Sequence, residues 1–152
     1  MKLVRILGAA LACTLCALPS LAQDKGDWRA ASTTAKSITG DIGISEYKLF
    51  INFSGSTIAQ IRALKPAEAT ALFNADPNPD GTGNIYRLSI PASKRFLHKN
   101  TLCGSEETQW AITWVTGRTL QLAFFSGPAI PTMTPEALTD ATNLCGTFTY
   151  VR

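Results

Sequence analysis

Residues 109–125 read Gln-Trp-Ala-Ile-Thr-Trp-Val-Thr-Gly-Arg-Thr-Leu-Gln-Leu-Ala-Phe-Phe, and this stretch decides the fold class. Large apolar residues recur at every second position of two runs, which is the period of a β-strand: Trp110, Ile112 and Trp114, then Leu120, Leu122 and Phe124. Thr116-Gly117-Arg118 lies between the two runs and is typical of a turn. The stretch therefore predicts an antiparallel β-hairpin.

Three further segments show the same alternation, at residues 47–53, 85–90 and 146–152. Glycine, proline, asparagine and aspartate separate them. Short strands with turn signals between them predict an all-β, mainly antiparallel fold, either a small barrel or a sandwich. One helix is predicted at residues 66–73, where proline begins the first turn, and a second short helical turn at residues 134–142.

The first 22 residues have the composition of a secretory signal peptide. Lys2 and Arg5 precede an uncharged apolar run at residues 6–18, and Ser20 and Ala22 are small residues at the −3 and −1 positions of a cleavage site. The run is shorter than the roughly 20 residues of a membrane-spanning helix. We therefore predict a signal peptide at 1–22 and a single secreted or periplasmic domain at 23–152 without a transmembrane segment. A retained membrane anchor is the alternative.

The charge of the chain argues against a nucleic-acid partner. The 152 residues carry a formal net charge of +3. Without Lys2 and Arg5 the 14 lysines and arginines become 12 against 11 acidic residues, so the predicted mature chain has a net charge of about +1. Nucleic-acid-binding domains usually show a dense basic stripe. We therefore expect no nucleic-acid partner.

Cys103 and Cys145 are the two cysteines of the predicted mature chain. Exported proteins fold in an oxidising compartment, which favours a disulfide. A redox pair usually has the spacing C-x-x-C, and His98 is the one nearby residue that would complete a set of metal ligands. We predict a structural disulfide, which should stabilise the fold by roughly 3–5 kcal/mol.

A possible calcium loop begins at Asp76. The oxygen-bearing residues Asp76, Asn78 and Asp80 have the spacing of the first three ligands of such a loop, and Gly81 follows them. Arg87, however, stands where the loop requires a glutamate. Because aspartate, asparagine, proline and glycine are also typical of exposed turns, we interpret the segment as a turn and expect no metal and no cofactor.

Most enzyme signatures are missing from the sequence. No serine has the setting G-x-S-x-G, and neither H-E-x-x-H nor a phosphate-binding glycine loop occurs. A Ser-His-Asp or Cys-His mechanism would depend on His98, the one histidine of the chain. We therefore expect a protein without catalytic activity. The alternative is a hydrolase that acts through two carboxylates. The candidates for these are Asp24, Asp27, Glu106 and Glu107.

Residues 94–99 carry a basic cluster around two apolar residues. The basic members are Lys94, Arg95, His98 and Lys99, and the apolar ones are Phe96 and Leu97. Such a cluster suits an anionic head group, an acidic protein or the bacterial surface. The alternative, which we favour from the sequence, is a solvated loop with its two apolar residues turned under the domain.

Gly26-Asp27-Trp28, at the start of the first strand, resembles the G-x-W signature of the lipocalin and calycin superfamily. The resemblance implies an eight-stranded barrel whose closed end is filled by the tryptophan. In that superfamily the tryptophan packs against an arginine of a late strand, a position that Arg152 would fill. A disulfide that ties the C-terminal region to the barrel is also common there, and Cys145 would provide it.

The sequence thus leads us to expect a non-catalytic binding protein of unknown ligand, for which a small apolar molecule is one candidate. The ligand would lie in a barrel cavity walled by Trp110, Trp114, Tyr86 and Phe124. The other reading of these aromatic residues is plain core packing. The alternative function is a protein-interaction or inhibitor module that acts through an exposed loop at residues 125–133, stiffened by Pro128 and Pro131.

Overall fold

The computed structural model describes residues 23–77 and 80–152; the predicted signal peptide at 1–22 lies outside them. The described chain is mainly antiparallel β-structure, which confirms the predicted fold class. The strands are β1 (Gly26–Ala30), β2 (Ile42–Ile44), β3 (Lys48–Ile51), β4 (Ser54–Thr57), β5 (Ala59–Ala63), β6 (Asn84–Ile90), β7 (Thr108–Thr116), β8 (Thr119–Ser126) and β9 (Leu144–Val151). Two short helices are α1 (Pro66–Phe73) and α2 (Pro135–Thr139). No helix within the described ranges is long and apolar enough to span a bilayer.

The strands form one curled sheet in the order β4-β3-β2-β1-β9-β8-β7-β6-β5. Its two edge strands, β4 and β5, are consecutive in the chain with only Ile58 between them. The hydrogen-bonded ladder is therefore open at this seam, whereas the polypeptide itself joins the two edges. This arrangement matches the predicted barrel or sandwich.

Strand direction divides the connections between two ends of the sheet. Because neighbouring strands are antiparallel, β1, β3, β6 and β8 all finish at one end, which we call the upper end. Its connections are residues 31–41, 52–53, 91–107 and 127–143. The lower end carries residues 23–25, 45–47, 64–83 and 117–118.

Two apolar cores lie on opposite faces of the sheet. The inner core fills the space enclosed by the sheet with side chains such as Trp28, Leu88, Leu122, Phe124 and Tyr150. The outer core lies between the outer face of β6–β8 and a cover made of α1 and residues 127–139; its members include Leu72, Trp110, Trp114 and Met133. The apolar residues of both faces of β7 and β8 are buried as a result.

The predicted disulfide is present. Cys103 and Cys145, which are 42 positions apart in sequence, are bonded, with their Cα atoms 4.9 Å apart. The bond ties the connection at 91–107 to the beginning of β9. At the same end a turn of π-helix, Ala35–Thr39, covers the inner core, and the Thr39 hydroxyl is 2.6 Å from the Tyr150 hydroxyl.

Several predicted boundaries need correction. The strand predicted at 47–53 ends at Ile51, since Asn52 and Phe53 have φ values of 48° and 63° and form the turn to β4. Because phenylalanine favours strands, Phe53 continued the apolar alternation of residues 47–53 into the turn, and the pattern did not show where β3 ends. The helix predicted at 66–73 is confirmed as α1, whereas the one predicted at 134–142 is shorter, Pro135–Thr139.

Candidate functional site

The four aromatic residues predicted to wall a cavity divide between the two cores. Tyr86 and Phe124 point into the inner core, whereas Trp110 and Trp114 lie in the outer core. All four are almost completely buried. The space left inside the sheet near Tyr86 is about 10 Å³, which is about the volume that one water molecule needs. The four residues therefore do not line a common space.

A buried polar cluster, which no sequence pattern predicted, lies at the lower end. The carboxylate of Asp24 accepts hydrogen bonds through Oδ2 from Asn84 Nδ2 (3.0 Å), the Tyr86 hydroxyl (2.8 Å) and Thr113 Oγ1 (2.7 Å). Burial, together with the adjacent Asp24 carboxylate, raises the pKa of Tyr86 well above its ordinary value, so the phenol stays a proton donor. The Lys25 ammonium lies 3.0 Å from the same phenol oxygen.

A much larger space lies on the outer face of β1–β3. This cleft has a volume of about 840 Å³, within the range of roughly 300–1,000 Å³ that is common for small-molecule sites. Its lining comes from the first three strands, the connections that flank them and the C-terminal residues: Asp27, Trp28, Arg29, residues 39–43, Phe50, Asn52, Phe53, Val151 and Arg152.

The floor of the cleft is a row of residues that face one another across four strands. Asp27 is opposite Gly43, Gly43 is opposite Phe50, and Phe50 is opposite Gly55. A Cβ atom at Gly55 would lie only 3.0 Å from the Phe50 ring, so the ring rests directly on the backbone of β4. An aromatic ring beside two glycines gives a flat apolar surface, and Phe50 is 40% exposed on it.

Arg152, which lines the cleft, stacks on the ring of Trp28, which is buried in the inner core. The guanidinium of Arg152 lies 4.3 Å from the centre of the Trp28 ring, which is a cation–π contact. The same guanidinium donates to the carbonyl oxygens of Lys25 (3.1 Å) and Gln23 (2.9 Å). The contact that the lipocalin resemblance implied for Trp28 and Arg152 is thus present, whereas membership of that superfamily stays a prediction.

Charged side chains of both signs surround the apolar floor. Asp27, Arg29, Asp41 and Arg152 are all exposed. Among the described residues the single ion pair lies elsewhere, between Arg62 and Glu68, so these four charges are not neutralised by each other. Asp41 uses one carboxylate oxygen to accept from the backbone N–H of Ala30. The cleft therefore offers hydrogen-bond donors and acceptors around an apolar centre.

The rim of the cleft carries an unusual turn. Asn52 and Phe53 both have left-handed backbone conformations, the arrangement of a two-residue hairpin turn that favours Asn-Gly. Asn52 fits this preference, whereas a bulky side chain such as that of Phe53 rarely adopts a positive φ. The Phe53 side chain is fully exposed at the tip. Strain of this kind is typical of functional positions.

The possible calcium loop is only partly described, since Asn78 lies outside the described residues together with Pro79. Within the described ranges no three histidine, cysteine, aspartate or glutamate side chains are grouped as a metal site would require. Gly81 has a packing role, because a Cβ atom there would lie 2.5 Å from the Trp114 ring. The segment crosses Trp114 closely and pairs Thr82 with Val115.

The four carboxylates considered for a hydrolase lie in separate places. Asp24 is buried at the lower end and Asp27 lies in the outer cleft. Glu106 and Glu107 are at the upper end, where each accepts a hydrogen bond from a serine, Ser126 and Ser89 respectively. The four carboxylates therefore do not form one cluster, although Glu106 and Glu107 are neighbours in sequence at the same end.

The loop predicted as an interaction module is anchored at both ends. Phe125 and Met133 are buried in the outer core, whereas Ile130 is exposed between them. A second cleft of about 480 Å³ lies between residues 130–135 and the start of α1.

Comparison with protein-family models, with curated proteins and with solved structures found no match to this chain.

Proposed function

We propose that this chain is an exported, non-catalytic binding protein whose ligand site is the outer cleft on β1–β3. One observation carries the proposal: the outer cleft has a volume of about 840 Å³, whereas the inner core leaves about 10 Å³ beside Tyr86 and Thr113. A small molecule fits the first space and not the second. We therefore propose the outer face of the sheet, instead of its interior, as the location of the ligand site.

The chemistry of the cleft suggests a small, largely apolar ligand with a polar end. The exposed ring of Phe50, supported by Gly55, offers a flat face to an apolar group. Arg29 and Arg152 lie near enough to line the same cleft and would bind an acidic or hydroxyl end. A mainly apolar lining with a few polar groups that fix orientation is the usual composition of a ligand site.

The test is a fluorescence titration with N-phenyl-1-naphthylamine, a neutral apolar dye. We expect saturable binding to the wild-type protein and a loss of at least tenfold in affinity for Phe50→Ser. Ile61→Ser is the matched control, because Ile61 is 45% exposed on β5, against 40% for Phe50, and lies outside the cleft. Equal loss in both variants, or unchanged affinity in Phe50→Ser, would overturn the proposal.

Export is supported by two features of the chain. Residues 1–22 have the sequence pattern of a signal peptide, and the disulfide between Cys103 and Cys145 is of the kind that persists in oxidising compartments. The intact mass of protein recovered from the periplasm or medium tests this. A mature chain that begins at Gln23 is expected, and a full-length chain retained in the cytoplasm would contradict it.

A second function is favoured by one observation at the loop of residues 127–133. Ile130 is 45% exposed beside the second cleft while Phe125 and Met133 hold the loop in place. Such a stiffened apolar projection suits an interaction or inhibitor module. Replacement of residues 127–132 by a Gly/Ser loop should then abolish binding to a partner protein and leave dye binding in the outer cleft intact.

A further inference from the structure

Basic side chains gather on one part of the upper end. Four lysines and arginines and the one histidine of the chain belong to this basic surface: Lys36, Lys94, Arg95, His98 and Lys99. They come from two connections, 31–41 and 91–107, that are separated in sequence by the 49 residues 42–90. The fold therefore brings these basic residues together.

Direct contacts hold the two connections together. Asn100 donates through Nδ2 to the carbonyl oxygen of Ser37, at 3.2 Å. The Leu97 side chain lies against Gly40, where an added Cβ would come within 3.2 Å of it. Lys36, on the π-helical turn, therefore lies beside the segment that carries the other basic residues.

These basic groups have no acidic partners within the described part of the chain. The single ion pair there joins Arg62 to Glu68. Arg95 donates only to backbone carbonyl oxygens of its own loop, Ala92 and Lys94. The glutamates of the same connection bind serines instead. Positive charge at this surface is thus left for an external partner.

An exposed aromatic ring lies at the same end. Phe53 is fully exposed at the tip of the strained β3–β4 turn. Phe53 and Gly40 line the same cleft, and Gly40 is the residue that Leu97 contacts. The cleft that Phe53 lines therefore extends to Gly40, beside Leu97 in the segment that carries Lys94 and Lys99.

We propose that the basic surface and Phe53 dock this protein on an anionic lipid bilayer. Clusters of four or more lysines and arginines are attracted to anionic head groups, and aromatic rings are enriched at the level of those head groups. An acidic protein would also satisfy the charges, but it would need a pocket for the Phe53 ring. A lipid interface accepts a single projecting ring without one.

Membrane docking is a different property from ligand binding in the outer cleft, and separate variants test the two. Phe50 lines the cleft, whereas Lys36 and Lys99 are not among its lining residues. Phe50→Ser should therefore abolish dye binding and leave membrane binding intact. Lys36→Gln/Lys99→Gln should do the opposite, so failure of one proposal does not hide the other.

The experiment is co-sedimentation of the mature protein with vesicles of phosphatidylcholine alone or with 30% phosphatidylglycerol. We expect binding only to the anionic vesicles, falling as salt is raised. One cation near an anionic surface changes binding roughly fivefold, so Lys36→Gln/Lys99→Gln should weaken it about 25-fold. Phe53→Ser should weaken it as well. Lys48→Gln and Tyr47→Ser, exposed changes outside the basic surface, should not.

Three results would overturn the proposal. One is failure to bind anionic vesicles. Another is equal binding by wild-type protein and Lys36→Gln/Lys99→Gln. The third is binding that polyaspartate competes away and that Phe53→Ser leaves unchanged, which would point to an acidic macromolecule instead of a bilayer.

Discussion

The guanidinium of Arg152 covers the indole ring of Trp28 at 4.3 Å and at the same time binds the carbonyl oxygens of Gln23 and Lys25. One side chain thereby joins the end of β9 to the segment that leads into β1. Trp28 also donates through Nε1 to the Asp24 carbonyl oxygen, at 2.9 Å. Trp28 thereby connects Arg152, which lines the outer cleft, to the backbone of Asp24 in the interior.

Removal of the stacking group should destabilise the fold moderately. Arg152→Ala loses a cation–π contact and two charge-assisted hydrogen bonds, and we expect a loss of about 2 kcal/mol. Arg152→Lys should recover only part of the lost stability. Lysine keeps the positive charge, but an ammonium cannot stack on the ring and bind two carbonyl groups in the same way. Urea unfolding followed by tryptophan fluorescence measures both. Identical stability of Ala and wild-type proteins would show that the stack contributes nothing.

Loss of the buried carboxylate of Asp24 should lower the free energy of unfolding more than loss of the Arg152 side chain. Asp24→Ala removes the acceptor of three buried donors, of which only Thr113 has another acceptor nearby, the Asn84 carbonyl oxygen, so we expect a loss of about 3 kcal/mol. Asp24→Asn keeps one acceptor oxygen and should lose less, about 1–2 kcal/mol. Chemical denaturation provides the measurement. A smaller loss for alanine than for asparagine would contradict the role assigned to the carboxylate.

The ion pair at the start of α1 predicts a pH dependence. Hydrogen bonding to Arg62, at 2.7 Å and 2.8 Å, lowers the pKa of Glu68, which also accepts from the backbone N–H of Lys65. A lowered folded pKa stabilises the fold above the ordinary carboxyl value of about 4.3, and the contribution is lost as the pH falls.

Glu68→Gln should therefore cost up to about 1 kcal/mol at pH 7, a value limited by the partial exposure of the pair. The difference between Glu68→Gln and wild type should shrink below about pH 4. Glu46→Gln is the control, since Glu46 is exposed on a turn. A difference that grows as the pH falls would have the wrong sign for this ion pair.

Glycine at the strained turn should stabilise the protein. Phe53→Gly creates the Asn-Gly pair that this turn favours, with an expected gain of about 1 kcal/mol in the free energy of unfolding. Thermal unfolding tests the gain, with Tyr47→Gly as the control on a different turn. Destabilisation by Phe53→Gly would mean that the ring supports the fold.

Local patterns in the sequence predicted local structure well. The hairpin at 109–125, the helix that begins at Pro66 and the disulfide all follow from residue type and short-range spacing. The seam at β4 and β5 was missed, because Ser54-Gly55-Ser56-Thr57 lies at an exposed edge and has no apolar alternation to reveal it.

The pairing register explains why the site could not be predicted. In the β7–β8 hairpin each odd-numbered residue of β7 is opposite an even-numbered residue of β8, as Ala111 is opposite Phe124. Trp110 and Phe124 therefore point to opposite faces, although each belongs to the large apolar set of its own strand. The outer cleft depends likewise on the register of Gly43 and Gly55 around Phe50, which no single segment encodes.

The most direct test of the account is a two-dimensional ¹H–¹⁵N NMR titration of the mature protein with N-phenyl-1-naphthylamine. We expect shifts of the amide signals of the residues that line the outer cleft, among them residues 40–43, Phe50, Asn52, Phe53 and residues 151–152. The signals of Ala111, Leu122 and Phe124, in the inner core, should stay in place. Shifts concentrated in the inner core, with an undisturbed outer cleft, would contradict it.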